Sequence, residues 1–183
     1  LTAAAKQISS YLQPGTVVVN KSTVPVGSTR LVEQALGRSD IPVVSNPEFL
    51  REGSAVDDFL HPDRVVIGSD DDAAARRVAS LYVDCGAPIM VTDPASAETC
   101  KYAANAFLAT KLSFTNAIAA VCEAVGADAN DVLLGMGYDH RIGHEFLRPG
   151  PGWGGSCWYC SWKGGSTMQC IPLSANCIGD VFV

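Results

Sequence analysis

A thiol placed directly after Gly-Gly-Ser is the most reactive feature of this chain. Cys157 closes the glycine-rich run Phe146-Leu-Arg-Pro-Gly-Pro-Gly-Trp-Gly-Gly-Ser-Cys157. Glycines let backbone N–H groups crowd around such a side chain. That favours the thiolate and stabilises an oxyanion formed beside it. Taken alone, a cysteine is as well explained as a small buried hydrophobe, and it is the loop that tips the reading toward a nucleophile. Lys101 and Asn105 stand four residues apart in a helical segment and so share a face. An ammonium and an amide aimed at one point can hold a sugar hydroxylate or polarise a carbonyl, although a solvated helix face has the same composition. Lys111 lies on a different side. Thr23, in Lys21-Ser-Thr-Val-Pro-Val-Gly-Ser-Thr29, and Glu48, in Asn46-Pro-Glu-Phe-Leu-Arg-Glu-Gly53, each follow a short β-branched run. Thr23 is placed to touch a cofactor or a water, and Glu48 to act as a general base. The plainer alternatives are turn chemistry around Pro25 and Gly27 and an ordinary acidic helix start. His61, His140 and His144 lack metal-ligand spacing. Cys157-x2-Cys160 with Cys170 and Cys177 departs from zinc-knuckle spacing, so no metal is expected.

These residues need elements to position them. Thr16–Asn20 reads as a buried strand, Pro42–Ser45 and Arg64–Gly68 as two more short β-branched runs, and Pro88–Thr92 as a further strand. The residues from Ala3 to Leu12 read as a helix end, and Asp70–Val83 as a helix with acids at its positive end. Strands interleaved with helices imply an α/β fold with a parallel sheet covered on both faces. At Asp93-Pro94 the pattern changes. Asp93 suits an N-cap and Pro94 the first helical position. No Gly or Pro interrupts the chain until Gly126, so a single helix of about 30 residues is predicted, followed by a shorter one from Asp128 to Leu134. Residues 158–183 show no clear period.

With 183 residues, a net charge of −6 and no Lys/Arg cluster, the chain is a poor candidate for nucleic acid or an anionic membrane. No uninterrupted apolar run approaches the ~20 residues that span a bilayer. No secretory signal is visible, and seven scattered cysteines read as thiols of a reducing cytoplasm.

Five motifs in order, Lys21-Ser-Thr-Val-Pro-Val-Gly27, Asn46-Pro-Glu-Phe-Leu-Arg-Glu-Gly53, Lys101-Tyr-Ala-Ala-Asn-Ala-Phe-Leu-Ala-Thr-Lys111, Asp139-x-Arg-Ile-Gly143 and Gly152-Trp-Gly-Gly-Ser-Cys157, resemble the UDP-glucose/GDP-mannose dehydrogenase family across residues 1–157. His61-Pro-Asp-Arg-Val-Val-Ile-Gly68 is more similar to the UDP-glucose branch than to the GDP-mannose branch. The resemblance implies a four-electron oxidation of a UDP-sugar by NAD through a thiohemiacetal and a thioester on Cys157. It implies Lys101 and Asn105 as oxyanion donors, and Thr23 and Glu48 near the nicotinamide and a water. Glu52 would be a cofactor contact. Phe49, Leu50 and the loop from Phe146 to Gly155, with Leu147 and Gly154, would form the substrate cradle. Arg141 would reach a neighbouring subunit's active site, and the long helix would form a homodimer core.

The departures carry equal weight. The family opens with a strand and a Gly-x-Gly-x-x-Gly turn for the NAD pyrophosphate; here no strand leads into such a turn. The family continues past its cysteine with a lysine and an aspartate at the third and fourth positions, where this chain has Cys160 and Ser161. The expected organisation is therefore the C-terminal half of an NAD-binding domain, a partial Rossmann-like sheet over 1–93. A central helical domain follows over 94–157, then an atypical tail over 158–183. The expected function is a fragment of a UDP-glucose-oxidising dehydrogenase, inactive alone. The alternatives are a GDP-mannose or UDP-N-acetylmannosamine dehydrogenase fragment, and a non-catalytic dimerisation module.

Overall fold

The computed structural model describes residues 1–51 and 53–151. In chain order the elements are α1 (Thr2–Ser9), β1 (Val18–Asn20), α2 (Ser28–Leu36), β2 (Val43–Ser45), α3 (Ala55–Leu60), β3 (Val65–Gly68), α4 (Asp72–Ala79), a 3-10 turn (Ser80–Cys85), β4 (Ile89–Thr92), α5 (Pro94–Val125) and α6 (Ala129–Gly137). The described residues divide into two compact units, one ending at Ala103 and the other beginning at Ala104.

In the first unit the four strands form one sheet in the order β1-β2-β3-β4. Successive residues of a strand point to opposite faces. Val43 accordingly joins Ala5, Val32, Leu36 and Ile41 beneath α1 and α2, while Val44 joins Val65, Ile67, Ala74, Ala75 and Val78 beneath α4. Burial on both faces explains why β2 and β3 read as continuous apolar runs, whereas Met90 and Val91 of β4 and Val19 of β1 are exposed. The helix predicted over Asp70–Val83 begins later and tightens into the 3-10 turn; Asp71 caps it by accepting the Ala74 N–H at 2.8 Å.

The α/β expectation holds, but the sheet is mixed rather than wholly parallel. β1 pairs parallel with β2 and β3 with β4, whereas β2 meets β3 antiparallel through the single pair Ser45↔Gly68. A parallel return would need a helix packed across the sheet as a crossover. The only helix in that connection, α3, has six residues, and the one that is buried is Asp58; Val56, Phe59 and Leu60 are exposed. α3 leaves its apolar residues unpacked against the sheet and so makes no crossover, and the chain re-enters from the same end. Asp58 instead accepts the Arg51 N–H at 2.7 Å and the Ser54 hydroxyl at 3.0 Å and pairs with the Arg51 guanidinium.

Gly68 lets the start of α5 lie against β3. A Cβ there would sit 2.5 Å from the Ala97 Cβ and 2.8 Å from the Pro94 Cα. α5 begins as predicted, with Asp93 accepting the Ser96 N–H at 2.9 Å. By length and composition it would be apolar enough to cross a membrane, although it contains no uninterrupted apolar run of that length. Its polar residues Glu98, Lys101 and Thr115 are buried among partners within the protein.

In the second unit Gly126, at φ 76°, ends α5. Asp128 then caps α6 by accepting the Asn130 N–H at 2.7 Å. α6 runs on past the predicted stop at Leu134. Gly137 lies under the His144 ring, and a Cβ there would come within 2.1 Å of Nδ1. Three α5 side chains hold the following loop. Lys111 Nζ donates to the Ile142 carbonyl at 2.7 Å, Thr115 Oγ1 to the Phe146 carbonyl at 3.1 Å, and Asn116 Oδ1 accepts the Gly150 N–H at 2.9 Å.

Gly68→Ala is expected to destabilise the first unit by about 1–3 kcal/mol, because backbone atoms must move. A denaturant midpoint equal to wild type would contradict the packing. The Arg51 guanidinium holds the Asp58 carboxyl well below its ordinary value of 3.8. A carboxylate so depressed adds stability above its unfolded pKa, and that stability is lost as pH falls toward the folded one. The stability gap between wild type and Asp58→Asn should therefore stay constant above about pH 5 and close in stronger acid. Thermal melts across that range measure it, and a gap independent of pH would exclude the charge as its cause.

Candidate active site at the carboxyl ends of the strands

Because β1 and β2 are parallel with Asn20 opposite Ser45, the loops that leave them emerge side by side. In α/β sheets this end is where ligands bind. The main chains stay joined beyond the strands: the Asn46 N–H donates to the Asn20 carbonyl at 2.9 Å, and the Glu48 N–H to the Lys21 carbonyl at 3.3 Å. Side chains tie them again. Lys21 Nζ donates to Asn46 Oδ1 at 3.0 Å and to the Tyr82 hydroxyl at 2.9 Å; that hydroxyl donates to Asn46 Oδ1 at 2.6 Å. The Asn46 amide donates to the Val66 carbonyl at 2.8 Å, which reaches across to β3.

On this frame Glu48 faces Lys101, with Oε1 3.5 Å from Nζ, while its Oε2 accepts the Leu50 N–H at 2.6 Å. Lys101 is only 5% exposed. A nearly buried ammonium requires a partner of opposite charge, and Glu48 is that partner. The Phe49 ring lies 5.1 Å from Lys101 Nζ and 3.9 Å from the Arg64 guanidinium carbon, within cation–π range of both. Leu50 is exposed beside them. Glu48 and Phe49 of one motif and Lys101 of another are thus brought together.

Thr23 lies in the neighbouring loop. Its Oγ1 is buried without a hydrogen-bond partner among the described residues, as is Asn20 Nδ2. The Asn20 amide orientation is set by its Oδ1, which accepts the Ser22 N–H at 3.3 Å. Buried donors are normally satisfied, so two unmet ones at the carboxyl end of β1 suit a polar group brought by a ligand, such as the carboxamide of a nicotinamide.

In the second unit, Asn105 lies one helical turn beyond Lys101 and is half-buried. Arg141 is exposed and paired with Asp139, its Nε 3.0 Å from Oδ1 and its NH2 2.6 Å from Oδ2. Phe146 adopts φ 61°, rare for a bulky residue. The Leu147 side chain is buried. Cys157, Gly154 and Glu52 lie outside the described residues.

Glu98, like Asn20, Asn46, Arg64 and Tyr82, is absent from the sequence-based expectation of the site. It is buried, accepts the Gly27 N–H at 2.6 Å, and takes the Thr29 N–H and hydroxyl at 2.8 and 2.7 Å. Its spacing of three residues from Lys101, on the same helical face, is the signal that could have marked it. The cavity of about 490 Å³ at the amino end of β2, lined by Glu33, Arg38, Pro42, Val43, Asp70 and Asp71, contains none of the expected site residues.

Residues 1–85 match the NAD binding domain of the UDP-glucose/GDP-mannose dehydrogenase family, and residues 95–162 match its central domain. The chain is 53% identical over 160 residues to the UDP-glucose 6-dehydrogenase TuaD of Bacillus subtilis, covering 85% of this chain and 35% of that protein. It is 51% identical over 165 residues to the UDP-glucose 6-dehydrogenase of Rhizobium meliloti, covering 85% and 38%. The UDP-glucose dehydrogenase structure from Pyrobaculum islandicum superposes with a TM-score of 0.79 at 43% identity, covering 86% of this chain and 38% of that one. The GDP-mannose dehydrogenase structure from Pseudomonas aeruginosa gives 0.71 at 32% identity, covering 85% and 39%. The chain thus spans 35–38% of the length of these curated relatives. With the family's NAD binding domain matching residues 1–85 and its central domain matching residues 95–162, the chain belongs to the UDP-glucose/GDP-mannose dehydrogenase family.

Proposed function

We propose that these residues are part of an NAD-dependent dehydrogenase that oxidises UDP-glucose to UDP-glucuronate, with Cys157 as nucleophile. The observation that carries this reading is the nearly buried Glu48–Lys101 pair beside the unmet Thr23 hydroxyl. Two NAD, bound in succession, would supply the acceptors for the two hydrides. Loss of a hydride and a proton turns the primary alcohol of the sugar into an aldehyde. The Cys157 thiolate adds to the aldehyde carbon, and Lys101 and Asn105 hold the resulting oxyanion. Loss of a second hydride leaves a thioester. Water oriented by Glu48 and Thr23 then breaks the C–S bond, releasing the carboxylate and returning the thiol. Glu52 contributes to the cofactor site. Phe49, Leu50, Phe146, Leu147 and Gly154 cradle the sugar nucleotide, and Arg141, whose guanidinium is exposed, reaches a second subunit.

UDP-glucose is preferred over GDP-mannose or UDP-N-acetylmannosamine because identity to the UDP-glucose dehydrogenase structure exceeds that to the GDP-mannose enzyme, 43% against 32%. We place the reaction in the cytoplasm, in keeping with Cys85, Cys100 and Cys122 as free thiols. The domain limits 1–93, 94–157 and 158–183 remain our assignment.

Among the described residues no strand leads into a pyrophosphate-binding turn, and Cys160 and Ser161 stand where the family has lysine and aspartate. By itself the chain should produce little or no NADH from UDP-glucose and NAD. Alkylation at neutral pH should nevertheless label Cys157 at least about tenfold faster than Cys85, Cys100 or Cys122. NADH formation near the rate of a full-length relative would refute the first expectation, and equal thiol reactivity would refute the nucleophile.

A homodimer along α5 is favoured by one observation. Phe107, Phe114, Val121 and Val125, spaced by seven, seven and four residues, are all exposed. Sedimentation should give a dimer that the pair Phe107→Glu and Phe114→Glu converts to monomer. A wild-type monomer at micromolar concentration would remove the assignment, and a dimer with an inert Cys157 would favour a dimerisation module.

A further inference from the structure

α2 begins without a cap of its own. Its N-cap residue is Gly27, in the left-handed conformation at φ 93°, and no local side chain satisfies the first N–H groups. Such donors are costly when buried. Their acceptor comes from a distant element. The Glu98 carboxylate, 2% exposed and carried by the second turn of α5, takes the Gly27 N–H on one oxygen and both the N–H and hydroxyl of Thr29 on the other. A carboxylate at a helix N-terminus is also favoured by the helix dipole. The loop closed by this contact is the one that bears Thr23. On the same face of α5, three residues along, Lys101 meets Glu48. The first turns of α5 therefore hold one loop through Glu98 and the other through Lys101.

We propose that Glu98 is a positioning residue, whose carboxylate fixes the Thr23 loop relative to Lys101 and so sets the spacing between the cofactor-side hydroxyl and the substrate-side ammonium. The proposal rests on the assignment of Thr23 and Lys101 to those two sides. Glutamine at position 98 keeps the length but loses an acceptor: with its oxygen on Thr29, its NH2 group faces the Gly27 N–H, donor against donor. Thr29→Val removes the hydroxyl contact alone, and Thr29→Ser retains it.

The test is NMR on the full chain carrying Glu98→Gln, Thr29→Val or Thr29→Ser. The methyl resonances of Val44 and Ile67, both in the core beneath α4, report the fold. The Lys101 side-chain resonances, shifted by the Phe49 ring, and the Thr23 methyl report position. In Glu98→Gln the Thr23 and Lys101 signals should move, with the core methyls unchanged. Amide exchange at Gly27 and Thr29 should speed up roughly ten- to hundredfold, the scale of losing a bond to a charged acceptor. Thr29→Val should move the same signals less, and Thr29→Ser should restore them. Unmoved Thr23 and Lys101 signals with a lowered melting temperature would make Glu98 merely structural and overturn the proposal. If Glu98→Gln fails to fold, Thr29→Val against Thr29→Ser decides the question by the same signals. Failure of the functional assignment would show instead in wild-type thiol labelling, which these variants leave aside.

Discussion

The close approach of α5 to the end of β3 underlies everything else in the first unit. A hydrogen in place of a side chain at Gly68 lets Ala97 and the Pro94 backbone press against the strand, closer than any Cβ would permit. A helix seated that deeply carries its next two turns over the carboxyl ends of β1 and β2. There Glu98 finds the uncapped start of α2, and Lys101 finds Glu48. Both contacts are between polar groups withdrawn from water, where an unmatched group costs more than a matched pair gains. The position of α5 is therefore enforced twice, by sterics at its first turn and by polar satisfaction at its second.

The mixed sheet serves the same end. Because β2 and β3 overlap only at Ser45 and Gly68, their carboxyl ends meet instead of lying at opposite poles. The Asn46 amide can then reach Val66 while its oxygen takes Lys21 and Tyr82. This network ties three strands around the loop that carries Glu48. The exposed apolar residues of α3 fit a short helix that takes no part in crossing the sheet. Asp58 anchors it to Arg51 instead.

Local chemistry was legible where neighbours in sequence are neighbours in space. The α5 start at Asp93-Pro94, its stop at Gly126 and the Asp128 cap could be read directly, because caps and breakers act within a few residues. The strands were found one or two residues too long, since pairing partners rather than β-branched composition decide where a ladder ends. The antiparallel step was not legible. A length of chain between two strands says little about direction until the burial of its helix is known, and that burial is a tertiary property. The α6 overrun to Gly137 has the same origin, in a His144 ring that packs onto a bare glycine.

The sequence by itself determined the family, through motifs whose order and spacing are chemical signatures, and with it the identity of Cys157, Lys101, Asn105, Thr23 and Glu48 as candidates. It also determined that Lys101 and Asn105 share a helix face, a consequence of the 3.6-residue turn. Only the tertiary structure decided that Glu48 and Lys101, more than fifty residues apart in the chain, form a nearly buried pair. The same holds for Glu98, which caps a helix that cannot cap itself. The physical reason is common to both: an acid and its donors are recognisable as residue types anywhere, but whether burial obliges them to meet depends on which surfaces the fold closes over them.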